Sequence, residues 1–379
     1  MTVPPPAAPG MKLAEVETPA LLIDLDAFER NLRAMAEAVG PTGLRLRPHA
    51  KTHKSPVIAR RQLALGAVGV CCQKVSEAEV LADGGVDDVL VTNQVVGARK
   101  LERLAALARR VKVGTCVDDA QNARDLSAAA VRFGAEIEVL VEIDVGAGRC
   151  GVAPGEPART LAGEVATLPG LRFGGLQAYQ GAAQHLRRAE EREAAIARAA
   201  ELTRQTVALL AGAGLECRTV GGAGTGTYAL EAASGVWNEL QCGSYVFMDA
   251  DYARNLDAEG APVAAFEQAL FVLSTVMSQP AAGRAVLDAG LKALAFDSGP
   301  PLVHGRADLR YEGASDEHGK VAFEATNAPL RPGDRLLLVP GHCDPTVNLH
   351  DWYVAVRGLS WEGAFVEAVW PVAARGAGF

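Results

Sequence analysis

The first ordered pattern along the chain is an apolar run, Ala20-Leu21-Leu22-Ile23-Asp24-Leu25, which reads as a buried strand. Behind it Phe28, Leu32, Met35 and Val39 recur along one helical face, and Asp26 with Glu29 has the spacing of a capping box. From there apolar runs of strand length alternate with Ala/Leu/Glu/Arg-rich stretches. The runs 43–48, 67–72, 87–92, 111–117, 136–143, 172–178, 216–220 and 239–245 predict eight strands, with helices such as 96–109 and 187–213 between them. Eight parallel strands with intervening helices predict an α/β fold of the (β/α)8 TIM-barrel type, for which roughly 250 residues is typical. A doubly wound open sheet is the alternative. After about residue 255 the alternation stops, and β-rich pieces follow at 267–276, 284–288, 321–325, 334–339, 352–358 and 365–371. The expected organisation is an arm over 1–17, a barrel over 18–255 and a C-terminal β domain over 256–379, which the early strand 20–25 joins.

Composition narrows the class. A chain of 379 residues, 49% of them hydrophobic, suits one barrel plus a smaller domain with sizeable cores. The balance of 37 Lys+Arg against 45 Asp+Glu gives a net charge of -8 and argues against a nucleic-acid partner. No apolar run reaches membrane-spanning length, and the start Met1-Thr2-Val3-Pro4-Pro5-Pro6 has neither a basic segment nor an apolar core of a secretory signal. Seven cysteines, an odd set without CxxC spacing, fit a reducing compartment. A cytoplasmic enzyme is the expectation.

Candidate chemistry gathers where the predicted strands end. The stretch Leu46-Arg47-Pro48-His49-Ala50-Lys51-Thr52-His53-Lys54 crowds cationic side chains, so Lys51 is expected to have a lowered pKa and to attack a carbonyl as a neutral amine. A basic surface loop that binds a phosphate is the competing reading. Other strand ends carry Gln73-Lys74, Thr92-Asn93, Asp118-Asp119, Asp144, Tyr179-Gln180, Gly221-Gly222 and Ser244-Tyr245, which a barrel would bring to one mouth. The turn Gly221-Gly222-Ala223-Gly224-Thr225-Gly226-Thr227 and the strand end Gly243-Ser244-Tyr245 could donate backbone N–H groups to a phosphate; a structural hinge is the alternative. Arg149, flanked by glycines in Gly146-Ala147-Gly148-Arg149-Cys150-Gly151, suits a cofactor anion or ring nitrogen, or a loop salt bridge. In the β domain His342 and Asp344 are two apart, so in an extended segment they share a face. That pair suits Mn²⁺ or Mg²⁺, whereas a thiolate would favour Zn²⁺. A turn capped by Asp344 accounts for the same residues without a metal.

Several of these motifs together resemble the D-threonine aldolase family of pyridoxal-phosphate enzymes, with the related 3-hydroxy-D-aspartate aldolases and D-serine dehydratases. They are Arg47-Pro48-His49-Ala50-Lys51-Thr52-His53-Lys54, Cys71-Cys72-Gln73-Lys74-Val75-Ser76-Glu77-Ala78, Gly148-Arg149-Cys150-Gly151-Val152, Gln177-Ala178-Tyr179-Gln180-Gly181, Asp316-Glu317-His318-Gly319 and His342-Cys343-Asp344-Pro345-Thr346. The resemblance runs from Thr18 onward and implies an alanine-racemase-like barrel with a β domain. It implies that Lys51 forms the internal Schiff base with pyridoxal 5'-phosphate and that Gly222, Gly224, Thr225, Gly243, Ser244 and Tyr245 surround the phosphate. It further implies that Arg149 and Tyr179 lie along the ring, that His342 and Asp344 hold a divalent metal, and that His185, nearby, is a candidate base. Ala223 stands where members often have glycine. The implied reaction is cleavage of a D-3-hydroxy amino acid to glycine and an aldehyde, in a homodimer whose second copy covers the mouth. Dehydratases resembling this chain carry a cysteine where Asp344 stands, which favours the aldolase, while D-threonine and 3-hydroxy-D-aspartate both stay open as substrates. A pyridoxal-phosphate homeostasis protein is the non-enzymatic alternative, and residues 256–379 argue against it.

Overall fold

The computed structural model describes residues 3–324 and 330–379, so residues 1–2 of the arm and residue 325 of the expected 321–325 strand lie outside the described residues. Eight parallel strands form the barrel: β2 (Arg45–Leu46), β3 (Val70–Cys72), β4 (Asp88–Gln94), β5 (Lys112–Val117), β6 (Ile137–Glu142), β7 (Leu171–Gln177), β8 (Thr219–Gly222) and β9 (Glu239–Leu240). They run in the order β2-β9-β8-β7-β6-β5-β4-β3. The ring closes where His49 bridges Cys71, with the Cys71 amide donating to Pro48 O at 2.8 Å and the Ala50 amide donating to Cys71 O at 2.7 Å. Helices α1 (Leu25–Val39), α2 (Pro56–Ala64), α3 (Val75–Asp83), α4 (Ala98–Leu107), α5 (Ala120–Phe133), α6 (Glu156–Thr167), α7 (Ala189–Gly212) and α8 (Tyr228–Ala233) fill the intervals.

Two expected strands are much shorter than their apolar runs. β2 covers only 45–46 of 43–48, because Pro48 has no N–H to offer a ladder, and β9 covers 239–240 of 239–245, because a 3₁₀ turn follows at Ser244–Val246. Helix α1 is capped by Asp24, whose Oδ1 accepts from the Asp26 amide at 3.0 Å, and not by the expected Asp26–Glu29 box. Asp26 and Glu29 are instead held by Arg357 from the other half of the molecule.

Inside the barrel the side chains stack in levels. At the N-terminal end Arg47 is buried between Glu239 and Asp88, with distances of 3.0 and 2.6 Å. Above it Cys71, Leu90, Cys116 and Leu140 make a small apolar plug from four neighbouring strands. Gly114 permits this plug, since a Cβ there would lie 2.7 Å from Leu90 Cδ1. The large cavity lies at the C-terminal mouth, which is where a barrel assembles a site from loops of different strands.

The second half is a nine-stranded sheet built from β10 (Leu270–Ala281), β11 (Arg284–Leu287), β12 (Leu302–Val303), β13 (Leu309–Ala314), β14 (Gly319–Phe323), β15 (Arg335–Val339), β16 (Trp352–Arg357) and β17 (Phe365–Pro371), together with β1 (Ala20–Asp24). β1 lies between β10, antiparallel, and β16, parallel, so the chain starts in this sheet before it enters the barrel. A one-and-a-half-turn helix, α9 (Cys343–Val347), leaves β15 and reaches the barrel mouth.

Candidate active site

Lys51 stands just past β2, at the mouth, and its side chain is 41% exposed. The expected crowd of cations is not around it. Arg47 points the other way, to Glu239 and Asp88; Lys54 pairs with Glu77; and His53 is buried beside Gln62, its pKa pushed by burial down to about 4. His49 is likewise buried and pushed well down, by desolvation and then by Lys51 itself, and lies 3.0 Å from Thr92 Oγ1. The nearest charge to Lys51 is an anion. Its Nζ donates to Asp344 Oδ2 at 2.5 Å, and that carboxylate raises the Lys51 pKa against the opposing effect of burial. The expectation of a lowered pKa is therefore overturned for this state, because local repulsion was inferred without the partner from α9.

Across the cavity the glycine-rich turn and the β9 strand end form one wall. Thr225 Oγ1 accepts from the Tyr245 amide at 3.0 Å, which ties the two segments together. Gly224, Thr225, Gly243 and Ser244 line the cavity. Gly222 and Tyr245 do not line it: a Cβ on Gly222 would lie 2.4 Å from Ala178 O, and the Tyr245 ring is buried with its hydroxyl accepting from Gln62 at 3.0 Å. A Cβ on Gly243 would be 2.7 Å from Thr52 Oγ1 and 3.0 Å from His49 O, so glycine lets this strand end pack directly against the segment that carries Lys51. Ala223 has φ 72°, a left-handed conformation that explains why a glycine is at home in this position.

The remaining wall comes from β6 and β7. Arg149 lies over the Tyr179 ring, 5.9 Å from its centroid, and both line the cavity. The Arg149 loop is shaped by Asp144, whose Oδ1 accepts from the amides of Gly146 and Gly148 at 2.9 and 3.0 Å. Cavity residues to which sequence reasoning gave no role include Glu142, Gln177, Gln241 and Gln184. Gln177 donates to Gln241 at 2.8 Å over Gly221 of the intervening β8; Gln177 stands in one of the motifs that carry the resemblance, whereas a strand-end position is the signal available for Gln241. Of the other strand ends, Asp119 caps α5 and Asp118 accepts from Gly151, so neither faces the cavity.

His342 and Asp344 do not share a strand face. His342 is the N-cap residue of α9 and Asp344 lies in its first turn, because Pro345 at the third helical position favours a helix start over an extended run. They still converge on the mouth: His342 lines the cavity and Asp344 meets Lys51. His342 Nδ1 is 2.6 Å from Asp297 Oδ2, the carboxylate support that metal-binding imidazoles commonly have. Asp344 Oδ1 is buried without a hydrogen-bond partner among the described residues. An imidazole nitrogen and an orphaned carboxylate oxygen fit a hard divalent ion that takes its remaining ligands from water and substrate. Among the described residues no group of three or more His, Cys, Asp or Glu converges to hold an ion unaided. Asp249 completes this side; its Oδ2 accepts from the Cys343 amide at 3.2 Å, and burial pushes its pKa up to about 6.

His185, at the end of the 3₁₀ turn Gly181–His185, borders the same cavity of about 540 Å³. A lysine at the mouth of a parallel barrel, a glycine-walled cradle opposite it and a sheet half that delivers residues to the opening together define the alanine-racemase-like class. Residues 23–251 match the model of the alanine racemase N-terminal domain, and residues 269–356 match one described as "Putative serine dehydratase domain". The chain is 52% identical to the 3-hydroxy-D-aspartate aldolase of Paracoccus denitrificans, over 99% of this chain and 96% of that one. It is 49% identical to the D-threonine aldolase of an Arthrobacter species, over 99% and 97%. The crystal structure of D-threonine aldolase from Filomicrobium marinum superposes with a TM-score of 0.95 at 56% identity, covering 99% of this chain and all of that one. The chain belongs to the family of D-threonine aldolases and 3-hydroxy-D-aspartate aldolases.

Proposed function

We propose that this protein is a pyridoxal-phosphate- and divalent-metal-dependent aldehyde-lyase that cleaves D-3-hydroxy amino acids of the D-threonine type to glycine and an aldehyde. The observation that carries the reading is the meeting of Lys51 with Asp344 at one cavity, opposite the glycine-walled turn. In this reading Lys51 holds the cofactor covalently, Gly222, Gly224, Thr225, Gly243, Ser244 and Tyr245 surround its phosphate, and Arg149 and Tyr179 flank its ring. Gly222 and Tyr245 contribute by shaping the two turns. When bound, pyridoxal phosphate supplies the electron sink for the pair released from the Cα–Cβ bond. His342 and Asp344 would hold Mn²⁺ or Mg²⁺, whose chemistry there is to acidify the substrate's β-hydroxyl. His185 accepts the hydroxyl proton, directly or through water, as the carbonyl of the aldehyde forms.

Cleavage of 3-hydroxy-D-aspartate to glycine and glyoxylate is the second reading, supported by the likeness to the Paracoccus denitrificans enzyme. Seven free cysteines support work in a reducing cytoplasm, and no helix among the described residues is long and apolar enough to cross a membrane. The test is product analysis of purified protein with cofactor and Mn²⁺ or Mg²⁺. D-threonine, D-threo- and D-erythro-3-hydroxyaspartate and D-serine are compared. Glycine with acetaldehyde or with glyoxylate selects between the aldolase readings; pyruvate, oxaloacetate or ammonia would establish dehydration, and no turnover would return the chain to cofactor storage.

A further inference from the structure

The His185 imidazole has one ring nitrogen committed and one left over. Its Nδ1 is 2.7 Å from Asp251 Oδ2, while the side chain as a whole is 57% exposed at the cavity. Asp251 is the opposite case, with only 6% of its side chain exposed. Its second oxygen, Oδ1, accepts from both Arg187 and Arg254, the latter at 2.7 Å. Arg187 is fixed in turn on Asp251 O at 2.7 Å and on Asn255 Oδ1 at 2.8 Å, and Arg254 is fixed on Ser298 O at 2.6 Å. Burial works to raise the Asp251 pKa, but the hydrogen bonds from Arg187 and His185 outweigh it and hold the carboxyl below its usual range. An ionised carboxylate can only accept, so the proton between the two residues sits on Nδ1.

We propose that Asp251 is a positioning residue that holds His185 as the Nδ1–H tautomer, leaving Nε2 as the proton acceptor at the cavity. The proposal rests on the reading of His185 as the base for the β-hydroxyl. The arginines make it unusually easy to test, because they dictate how an amide would sit. In Asp251→Asn the carbonyl oxygen must face the two guanidiniums, which only donate. The NH₂ group then faces Nδ1 and forces the hydrogen onto Nε2, so the ring keeps its place and loses its function.

The experiment reads the tautomer directly, in two-bond ¹H–¹⁵N spectra of the cofactor-loaded protein labelled at histidine, with His185→Gln for assignment. Spectra are taken at alkaline pH. The native protein is expected to show protonated Nδ1 and a bare Nε2, and Asp251→Asn the reverse. In the same variant kcat for the cleaved amino acid should fall about 100-fold, the lower end of what a general base contributes, with KM and cofactor absorbance nearly unchanged. Introduced into His185→Gln, Asp251→Asn should cost nothing more. Asp251→Glu, which restores an acceptor between the arginines, should recover the native tautomer and most of the lost kcat. A native Nε2–H ring, or multiplicative losses in the double variant, would overturn the proposal. If Asp251→Asn fails to fold, the native tautomer and the Asp251→Glu variant still decide. Undiminished cleavage by His185→Gln would defeat the base assignment alone and leave the tautomer result standing.

Discussion

Lys51 Nζ and Asp344 Oδ2 lie 2.5 Å apart although 293 positions separate them in the chain. The contact joins the barrel to α9 and decides the electrostatics of the mouth. Burial alone would raise the Asp344 pKa, yet Lys51 and then His342 bring it down to about 2. The resting lysine is thus an ammonium held by a carboxylate, not an amine freed by its neighbours.

Lys51, among the lysines near the mouth, is expected to be the one that carries the cofactor. Lys54 is engaged by Glu77, and Lys74 does not line the cavity. Borohydride reduction of the loaded protein should fix the cofactor to the peptide containing Lys51, and Lys51→Ala should yield no reducible adduct. A label on Lys54 or Lys74 would contradict the assignment.

Arg47 is expected to matter for stability and not for chemistry. Glu239 and Asp88 sustain its charge at the far end of the barrel, with the apolar plug between it and the mouth. Arg47→Met removes the buried cation between Glu239 and Asp88, which keep only their outer partners Arg45 and Lys112, and should lower unfolding free energy by about 3 kcal/mol, the lower end for breaking a buried pair. Adding Glu239→Gln should recover part of the loss. Cofactor capture per folded molecule should stay at the native level; a change there would revive the idea that Arg47 tunes Lys51.

The barrel was legible because strand-length apolar runs and amphipathic stretches alternate for more than two hundred residues, and strand ends collect at one mouth whatever their exact limits. What sequence could not supply was direction and partnership. Arg47 and Lys51 lie four residues apart, yet one points below the plug and the other above it. Asp26 and Glu29 have capping spacing, but Arg357 claims both, and Asp24 takes the cap. His342 and Asp344 both reach the mouth, but a helix start brings them there instead of the shared strand face that their spacing suggests. Asp251 had no visible role, because its partners Arg187 and His185 come from a different loop.

Glu231 should impose a pH dependence on stability. It is 1% exposed, its Oε1 accepts from Thr227 at 2.8 Å and its Oε2 has no partner among the described residues. Burial raises its pKa from 4.5 to about 7. The folded state therefore favours the protonated acid: this contribution is full below the unfolded pKa and is lost as pH rises through about 7. The shift corresponds to about 3 kcal/mol. Urea unfolding across this range should show a decline in the native protein that Glu231→Gln removes, with the variant at least as stable on the alkaline side. Parallel curves would assign the slope elsewhere.

The mouth of a single chain leaves His185 57% and Lys51 41% exposed, which is wet for chemistry that generates a carbanion. A homodimer in which the sheet half of one copy covers the other's mouth is therefore expected. Sedimentation at assay concentration should give a dimer, and a fully active monomer would defeat the idea.

Metal dependence separates the aldolase reading most sharply from its rivals. The orphaned Asp344 Oδ1 and the Asp297-supported His342 offer two donors side by side at the mouth, and neither belongs to the glycine-walled cradle across the cavity. Chelation should therefore abolish cleavage while the absorbance of the bound cofactor persists. His342→Ala and Asp344→Ala should each capture pyridoxal phosphate and lose turnover, with Mn²⁺ or Mg²⁺ unable to restore it at ordinary concentrations. Asp344→Cys replaces a hard oxygen by a soft thiolate, so its residual activity should respond to Zn²⁺ more than the native protein does. The same exchange removes the carboxylate from Lys51, and Asp344→Asn controls for that loss by keeping an oxygen donor without the charge. Undiminished cleavage in the doubly substituted, chelator-treated protein would take the metal out of the reaction and leave α9 as a structural link between the two halves.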